Sequence, residues 1–323
     1  MESLVSKDFE QANLFKNRLV KLARHLRRWP TKRGISCYRL YERDIPEIPL
    51  VVDRYEDHLH ITEYERPHDR SPERHAAWLE LMAGTASESL GILPVNTHLK
   101  SRVRQAEQTQ YEKLGDAREF FVVQEDGLKF LVNFSDYVDT GLFLDHRETR
   151  KMVRRESAGK AVLNLFAYTG SFSVYAAAGQ AKSTTTVDLS KTYLQWAKRN
   201  FQLNQLQGEQ HDFVQSDSFG YLESLAAAGD RQFDLAIVDP PTYSNSKRTE
   251  KDWNVQANHA ELLQTLRTIM CPRGVVYFST NYRRFQLNEN ATVNFQVREI
   301  SKQTVPEDFR NRRIHRCWRM VVT

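Results

Sequence analysis

The sequence predicts an α/β fold: a parallel sheet with helices on both faces, preceded by a small N-terminal α+β domain with a basic lead-in helix. Three observations predict it. From about residue 160 onward, apolar runs of strand length alternate with helical stretches, the pattern of a sheet covered on both sides. Before residue 125 the β-rich runs are short and broken by Pro, Asp and Glu. The length, 323 residues, suits two domains of roughly 100–200 residues each. The boundary is expected at 125/126, with a small α+β domain over 1–125 and a catalytic domain over 126–323.

In chain order, Phe15, Leu19, Leu22, Leu26 and Trp29 recur at helical spacing, and Pro30 is expected to end that helix. Residues 16–33, "KNRLVKLARHLRRWPTKR", carry eight Lys or Arg and no acid. The net charge of the whole chain is only +5, so the remainder is slightly acidic. A basic segment on a near-neutral body is an electrostatic footprint for phosphate. Residues 71–90 read as a helix, with Ser71 as N-cap before Pro72. "REFFVVQEDGLKFLVNF" reads as a hairpin turning at Asp126–Gly127. Strands are then expected at 161–167, 183–188, 212–217, 233–239 and 274–280, with two further β-rich pieces, "NFQVREISKQ" and "IHRCWRMVVT", closing the chain.

Composition excludes several classes. Hydrophobic residues at 40% and charged residues at 27% describe an ordinary globular protein. No apolar run approaches the roughly 18 residues of a membrane span, and the start lacks the form of a signal peptide, so the cytoplasm is the expected location. Cys37, Cys271 and Cys317 are odd in number and widely scattered, which suggests neither a disulfide framework nor a Cys-rich metal site.

In an open α/β sheet, ligands bind beyond the carboxyl ends of the strands. After the first strand of the catalytic domain comes "NLFAYTGSFS", whose Gly170 lets backbone approach a ligand. Neither G-x-G-x-x-G nor a Gly-Lys-Ser/Thr loop occurs, which argues against a cradled pyrophosphate. The next strand ends at Asp188, placed to accept hydrogen bonds from ribose hydroxyls; the competing role, N-cap of the following helix, also suits Ser190. The third ends at Asp217, suited to an adenine amine. A ribose clamp and an adenine edge without a phosphate loop point to S-adenosylmethionine. Leu189 and Ser190 beside Asp188, and Ser218 beside Asp217, join the expected cofactor-binding set. The fourth strand delivers Asp239-Pro240-Pro241 and then Tyr243. The carboxylate and a proline-fixed carbonyl both accept hydrogen bonds and would hold an exocyclic amine while Tyr243 stacks the base. Asp239, Pro240 and Tyr243 are thus the expected catalytic set. Upstream, in "DTGLFLDHRETR", Asp145 and Arg147 would close over the methionine end of the cofactor.

These motifs resemble the Rossmann-like class I methyltransferases of the large-subunit rRNA group, which share T-G-x-F/Y-L-D-x-R, N-x-F-x-Y-T-G-x-F and D-P-P. "DPPTYSNSK", "FSTNYRRF", "DFRNRRIHRCW" and "NRLVKLARHLRRW" narrow the resemblance to the 23S rRNA guanine-N7 methyltransferases, over nearly the whole chain. The resemblance implies cofactor contacts at Asp145, Arg147, Phe166, Tyr168, Gly170, Asp188, Asp217 and Asp239. His146 departs from the pattern, since related enzymes often carry glutamine there. The implied partner is 23S rRNA or a large-subunit assembly intermediate. In fused relatives the other half methylates guanine N2, so such a half, fused or separate, is a further expected partner; a membrane is not.

Cytosine C5 methylation on this scaffold needs a cysteine thiolate beside the Asp-Pro-Pro turn or at the fifth strand's end. Thr242 and Thr280 stand there. Guanine N7 has an in-plane lone pair and no proton to lose, so alignment suffices. Guanine N2 or adenine N6 methylation, and a non-catalytic RNA-binding protein, are the other readings. Phosphate and base contacts are expected from Arg24, Arg27 and Arg28 on the lead-in helix, Asn281, Arg283 and Arg284 after the fifth strand, and Arg312 and Arg313 in the tail. No metal ligand set is expected.

Overall fold

The computed structural model describes residues 2–64, 66–102, 119–229, 232–244 and 252–323. Residues 245–251, the end of the "DPPTYSNSK" motif, lie outside the described residues.

The chain opens with α1 (Glu2–Leu26), followed by α2 (Trp29–Arg33). Phe15 and Leu19 of α1 are fully buried, as the helical stripe predicted. The helix stops at Leu26, earlier than Pro30, because a proline ring collides with the carbonyl four residues before it. Pro30 itself sits in the first turn of α2, where no N–H is missed. Strands β1 (Cys37–Glu42), β2 (Leu50–Tyr55), β3 (His58–Tyr64) and β4 (Thr97–Arg102) form one sheet in that order, with only the β3–β4 pair parallel. Between β3 and β4 runs α3 (Pro72–Leu90), capped by the Ser71 hydroxyl, which accepts the Arg74 N–H. Leu50 and Val52 of β2 and Leu59 and Ile61 of β3 pack with Phe15, Leu19, Trp78 and Met82 in one core beneath α1 and α3.

A hairpin follows, β5 (Phe121–Glu125) and β6 (Leu128–Val132). Asp126 and Gly127 adopt φ of 53° and 78°, the left-handed pair of a type I′ turn. The domain boundary expected at 125/126 falls inside this turn. Hydrogen bonds tie the hairpin both backward, to Ser36, and forward, to Trp196 and Asn200.

The remaining strands are β7 (Ala161–Leu165), β8 (Ser183–Asp188), β9 (His211–Gln215), β10 (Phe233–Val238), the short pair β11 (Tyr243–Ser244) and β12 (Trp253–Asn254), β13 (Met270–Thr280), β14 (Phe295–Glu299) and β15 (Arg316–Val322). The main sheet runs β14-β15-β13-β10-β7-β8-β9. Its five strands β13, β10, β7, β8 and β9 are parallel, whereas β15 pairs antiparallel with both its neighbours, β13 and β14. The sheet is therefore mixed rather than wholly parallel, with antiparallel strands only at one edge, a common variation of doubly wound folds. Helices α4 (Arg147–Glu156), α5 (Ser171–Ala178), α6 (Lys191–Leu203), α7 (Ser218–Ala228) and α8 (Val255–Ile269) flank it. Both faces of β10 are buried: Leu235 and Ile237 pack with Val153, Phe172 and Ala176, while Ala236 and Val238 pack with Leu222, Leu262 and Leu266. Such two-sided burial explains why "FDLAIV" reads as an unbroken apolar run. The strand order reverses at β7, placing a crevice beyond the ends of β7 and β10. Among the described residues no helix is long and apolar enough to cross a membrane.

Candidate active site

The turn from β7 into α5 is built on strain. Phe166 and Tyr168 hold φ of 52° and 51°, each costing about 1–3 kcal/mol for a residue bearing a side chain. Three bonds pin it in place. Phe166 N–H donates to Ser218 Oγ at 3.1 Å, Ala167 N–H to the Val187 carbonyl at 3.0 Å, and Tyr168 N–H to Asp188 Oδ2 at 2.8 Å. Gly170 has a different reason from the expected ligand approach. Its φ is +72°, and a Cβ there would stand 2.7 Å from Cβ of Ala197, so α6 crosses too close for any side chain.

Asp188 ends β8 with Oδ1 accepting the Ser190 N–H at 2.8 Å. The cap of α6 is Ser190, whose hydroxyl accepts the Tyr193 N–H, so Asp188 is released from that role. Burial raises its carboxyl to about 6, against the pull of the Ser190 and Tyr168 amides. A desolvated carboxylate with lone pairs to spare fits a ribose diol. Asp217 caps α7 through Oδ2, which accepts the Gly220 N–H at 2.8 Å. Ser218 is buried and spends an acceptor on the strained turn. Leu189, half-buried, follows Asp188, and its carbonyl accepts the Gln215 side chain.

Asp239, at the end of β10, accepts the Ser279 hydroxyl on Oδ1. Its Oδ2 lies 3.3 Å from His146 Nε2, which is 3.7 Å from Asp145 Oδ2. The His146 and His315 rings stack at 4.5 Å, and His315 Nδ1 is 2.9 Å from Asp145 Oδ2. Burial pushes the His146 imidazole below its ordinary value, against the carboxylates of Asp239 and Asp145. Its Nδ1 is buried without a hydrogen-bond partner. Burial acts against the charge on Asp145, yet His146 and the His315 bond hold its carboxyl below the usual range. The donor atoms of Asp145, His146 and His315 lie within 4.8 Å of one another, close enough for a cation. Both His315 nitrogens, however, are already committed, to Asp145 and to Thr304.

Several sequence-predicted residues stand elsewhere. Arg147 does not face the cleft. Its guanidinium is fully buried, bound to Glu125 at 3.1 Å, Asp308 at 2.9 Å and the Cys37 carbonyl at 2.7 Å. Tyr243 lies on the β11–β12 hairpin with its hydroxyl donated to Asp252 at 3.0 Å, and is not among the residues lining the cleft beside Asp239. The Pro241 carbonyl is likewise engaged, accepting the Trp253 indole N–H at 2.8 Å, while the Trp253 ring sits 5.3 Å from Phe166. Arg312 is tied to the carbonyls of Pro306 and Val305 and so braces its own loop. Arg24, Arg27, Arg28, Arg283, Arg284 and Arg313 are exposed. Asn281 is exposed too and accepts the Thr242 hydroxyl at 2.8 Å.

A cleft of about 200 Å³ opens beside Asp145, His146, Asp239 and buried Pro240. His315, Ser279 and Trp253 were not singled out from the sequence. His315 and Ser279 lie inside the motifs "DFRNRRIHRCW" and "FSTNYRRF", whereas nothing in the sequence marked Trp253. Cys317 pairs with Ser279 across the β13–β15 ladder but is fully buried, and burial pushes its thiol up, so it offers no thiolate.

A family model of S-adenosylmethionine-dependent methyltransferases matches residues 37–310. The chain is 48% identical to ribosomal RNA large subunit methyltransferase K of Neisseria meningitidis serogroup B, covering 94% of this chain and 86% of that protein. It is 47% identical to ribosomal RNA large subunit methyltransferase K/L of Pseudomonas putida, covering 96% of this chain but 42% of that protein. The chain thus spans less than half the length of the K/L relatives it matches. Among solved structures, SMU.776 in complex with SAH superposes with a TM-score of 0.78 at 22% identity, covering 96% of this chain and 82% of that one. A SAM-dependent methyltransferase from Agrobacterium tumefaciens superposes with a TM-score of 0.60 at 17% identity, covering 89% and 90%. These two likenesses show the shared fold.

Proposed function

The chain belongs to the S-adenosylmethionine-dependent methyltransferase family, and on that premise we propose that it methylates guanine N7 in the 23S rRNA of the large ribosomal subunit. The rRNA substrate is supported by the names of its relatives. The N7 acceptor is supported by the state of Asp239. Its Oδ1 accepts the Ser279 hydroxyl and its Oδ2 stands 3.3 Å from His146 Nε2, so the carboxylate is held as an orienting group, which suffices for N7 because N7 has no proton to lose. The buried thiol of Cys317 and the engaged hydroxyl of Thr242 also leave no nucleophile for addition to a cytosine ring.

When bound, the cofactor supplies an electrophilic sulfonium methyl, whose transfer to N7 forms one N–C bond, breaks one S–C bond and requires no proton removal. Asp188 would hold the ribose and Asp217 the adenine edge. The strained Phe166–Gly170 turn would shape the floor beneath them. Asp145 and Asp239, kept in place by His315, His146 and Ser279, would orient the methionine end and the incoming base. The task left to the protein is alignment and exclusion of water. In A-form RNA, N7 faces the deep, narrow groove, so the base must be splayed out or presented in partly unfolded RNA. Exposed Arg24 at the end of α1, Arg27 and Arg28 in the turn after it, and the arginines of the loop after β13 would supply phosphate contacts.

The test is mass spectrometry of nucleosides from large-subunit rRNA treated with this chain and labelled cofactor. Label in N7-methylguanosine is the expected result; label in N2-methylguanosine or 5-methylcytidine would overturn the acceptor assignment.

A further inference from the structure

The cleft beside Asp239 has two walls, and one belongs to the N-terminal sheet. Strands β2 and β3 alternate. Val52, Leu59 and Ile61 point into the core under α1 and α3. Asp53, paired across the ladder with His60, and Thr62 point the other way. Polar residues on the uncovered face of an antiparallel sheet normally meet water. Here Asp53, His60 and Thr62 are only 7%, 6% and 6% exposed, because that face is turned onto the space also lined by Asp239, Pro240 and Asn281.

The hydrogen-bonding sense of this wall is decided by Arg39. Its Nε and Nη2 donate to the two oxygens of Asp53 at 2.8 and 3.0 Å, and its Nη1 donates to Glu42 at 3.3 Å. The guanidinium therefore spends three of its five N–H donors on carboxylates. Each oxygen of Asp53 keeps a second lone pair, so the wall presents an acceptor in a fixed orientation. Guanine carries acceptors N7 and O6 on one edge and donors, N1–H and the N2 amine, on the opposite edge. A base that turns N7 toward the methyl donor, on the side of the cleft away from β2, would turn its donor edge toward β2.

We propose that Asp53, held by Arg39 on the inner face of the N-terminal sheet, recognises the N1–H and N2 amine of the guanine whose N7 is methylated. The N-terminal domain is then half of the acceptor pocket as well as an RNA-docking unit. This assignment rests on the N7 reading above and adds the residue that sets base identity and orientation.

The test uses the full chain and an RNA fragment containing the methylated nucleotide, synthesised with guanosine, inosine or 7-deazaguanosine at that position. Inosine keeps N7 and N1–H and lacks only the N2 amine. Wild-type kcat/KM is expected to fall about 10- to 100-fold on inosine. Asp53→Asn should lose a similar factor on guanosine and little more on inosine. Equal wild-type rates on guanosine and inosine would overturn the proposal. So would an Asp53→Asn variant that slows both RNAs by one common factor, the mark of a purely structural role. Should that variant fail to fold, the wild-type comparison decides alone. The 7-deazaguanosine RNA tests the acceptor separately, since its methylation at the guanosine rate removes the N7 reading whatever inosine does.

Discussion

Two charged networks begin two residues apart in the chain and end in opposite conditions. Arg147, with Arg150, Glu125 and Asp308, forms a closed set, every charge buried and met by another across hairpin, helix and tail. Asp145, with His146, His315 and Asp239, forms an open one. It lines a cleft, and one imidazole nitrogen lacks a hydrogen-bond partner. A closed network of buried charges is costly to assemble and worse to break, so it locks one arrangement. An open network costs the fold something and is retained where a ligand completes it. The closed set joins the N-terminal unit to the catalytic sheet; the open set is where substrate and cofactor would meet.

The largest way to break this contrast is Arg147→Ala. Leaving Glu125 and Asp308 buried without their partner should cost about 3–5 kcal/mol of stability, read by denaturant unfolding. Cofactor affinity of the folded fraction, read by calorimetry, should be unchanged; a selective loss of affinity would return Arg147 to the binding set. Asp188→Asn tests the cofactor side. Hydrogen bonds to a charged group are worth about 1.5–3 kcal/mol, so affinity should fall by roughly 10- to 100-fold, alongside a stability loss of about 1–3 kcal/mol for the one backbone N–H left without its acceptor.

Asp188 also gives a pH signature. Its folded-state carboxyl is raised to about 6, so the folded apoprotein holds this proton more tightly than the unfolded chain. Its contribution to apoprotein stability therefore declines as pH rises from about 4 to about 6. Binding of a diol requires the ionised form, so cofactor affinity should rise with pH through about 6 and fall by up to tenfold per unit below it. A flat affinity profile between pH 5 and 7 would remove the ribose assignment.

Smaller effects sharpen the comparison. His146→Asn should slow methyl transfer by roughly tenfold, the loss of one hydrogen bond to a carboxylate, while the thermal midpoint stays near that of the wild type. A large drop in midpoint would place His146 in the closed class. Charge reversal at Arg24, Arg27 and Arg28 should weaken RNA binding and flatten its salt dependence, leaving cofactor affinity untouched. An unchanged salt slope would dissociate α1 from the RNA surface.

Much of the site was legible in order along the chain because strand ends of a parallel sheet are brought together by the fold itself. Asp188 ends β8, and Asp217 and Asp239 closely follow β9 and β10, and the rule that ligands sit beyond strand ends needs no tertiary detail. Side-chain direction was not legible. Asp145 and Arg147 look equivalent in "LDHR", but the chain enters α4 at Arg147, and the turn aims the guanidinium at the hairpin. Tyr243 follows Asp-Pro-Pro closely yet leaves the cleft, because its strand pairs with β12.

By itself, the sequence determined the alternation of strands and helices, the basic amphipathic lead-in, the capped helix after Ser71 and the acidic strand ends. Each of these depends on residues within a turn or two of one another. Only the tertiary structure decided that His315 would reach Asp145 and that Asp53 and Asp239 would line one cleft. It also decided that Arg147 would be sealed inside a joint between units. These partners lie far apart in the chain, and burial and hydrogen-bond satisfaction select them only when separate elements pack. No local pattern encodes that choice.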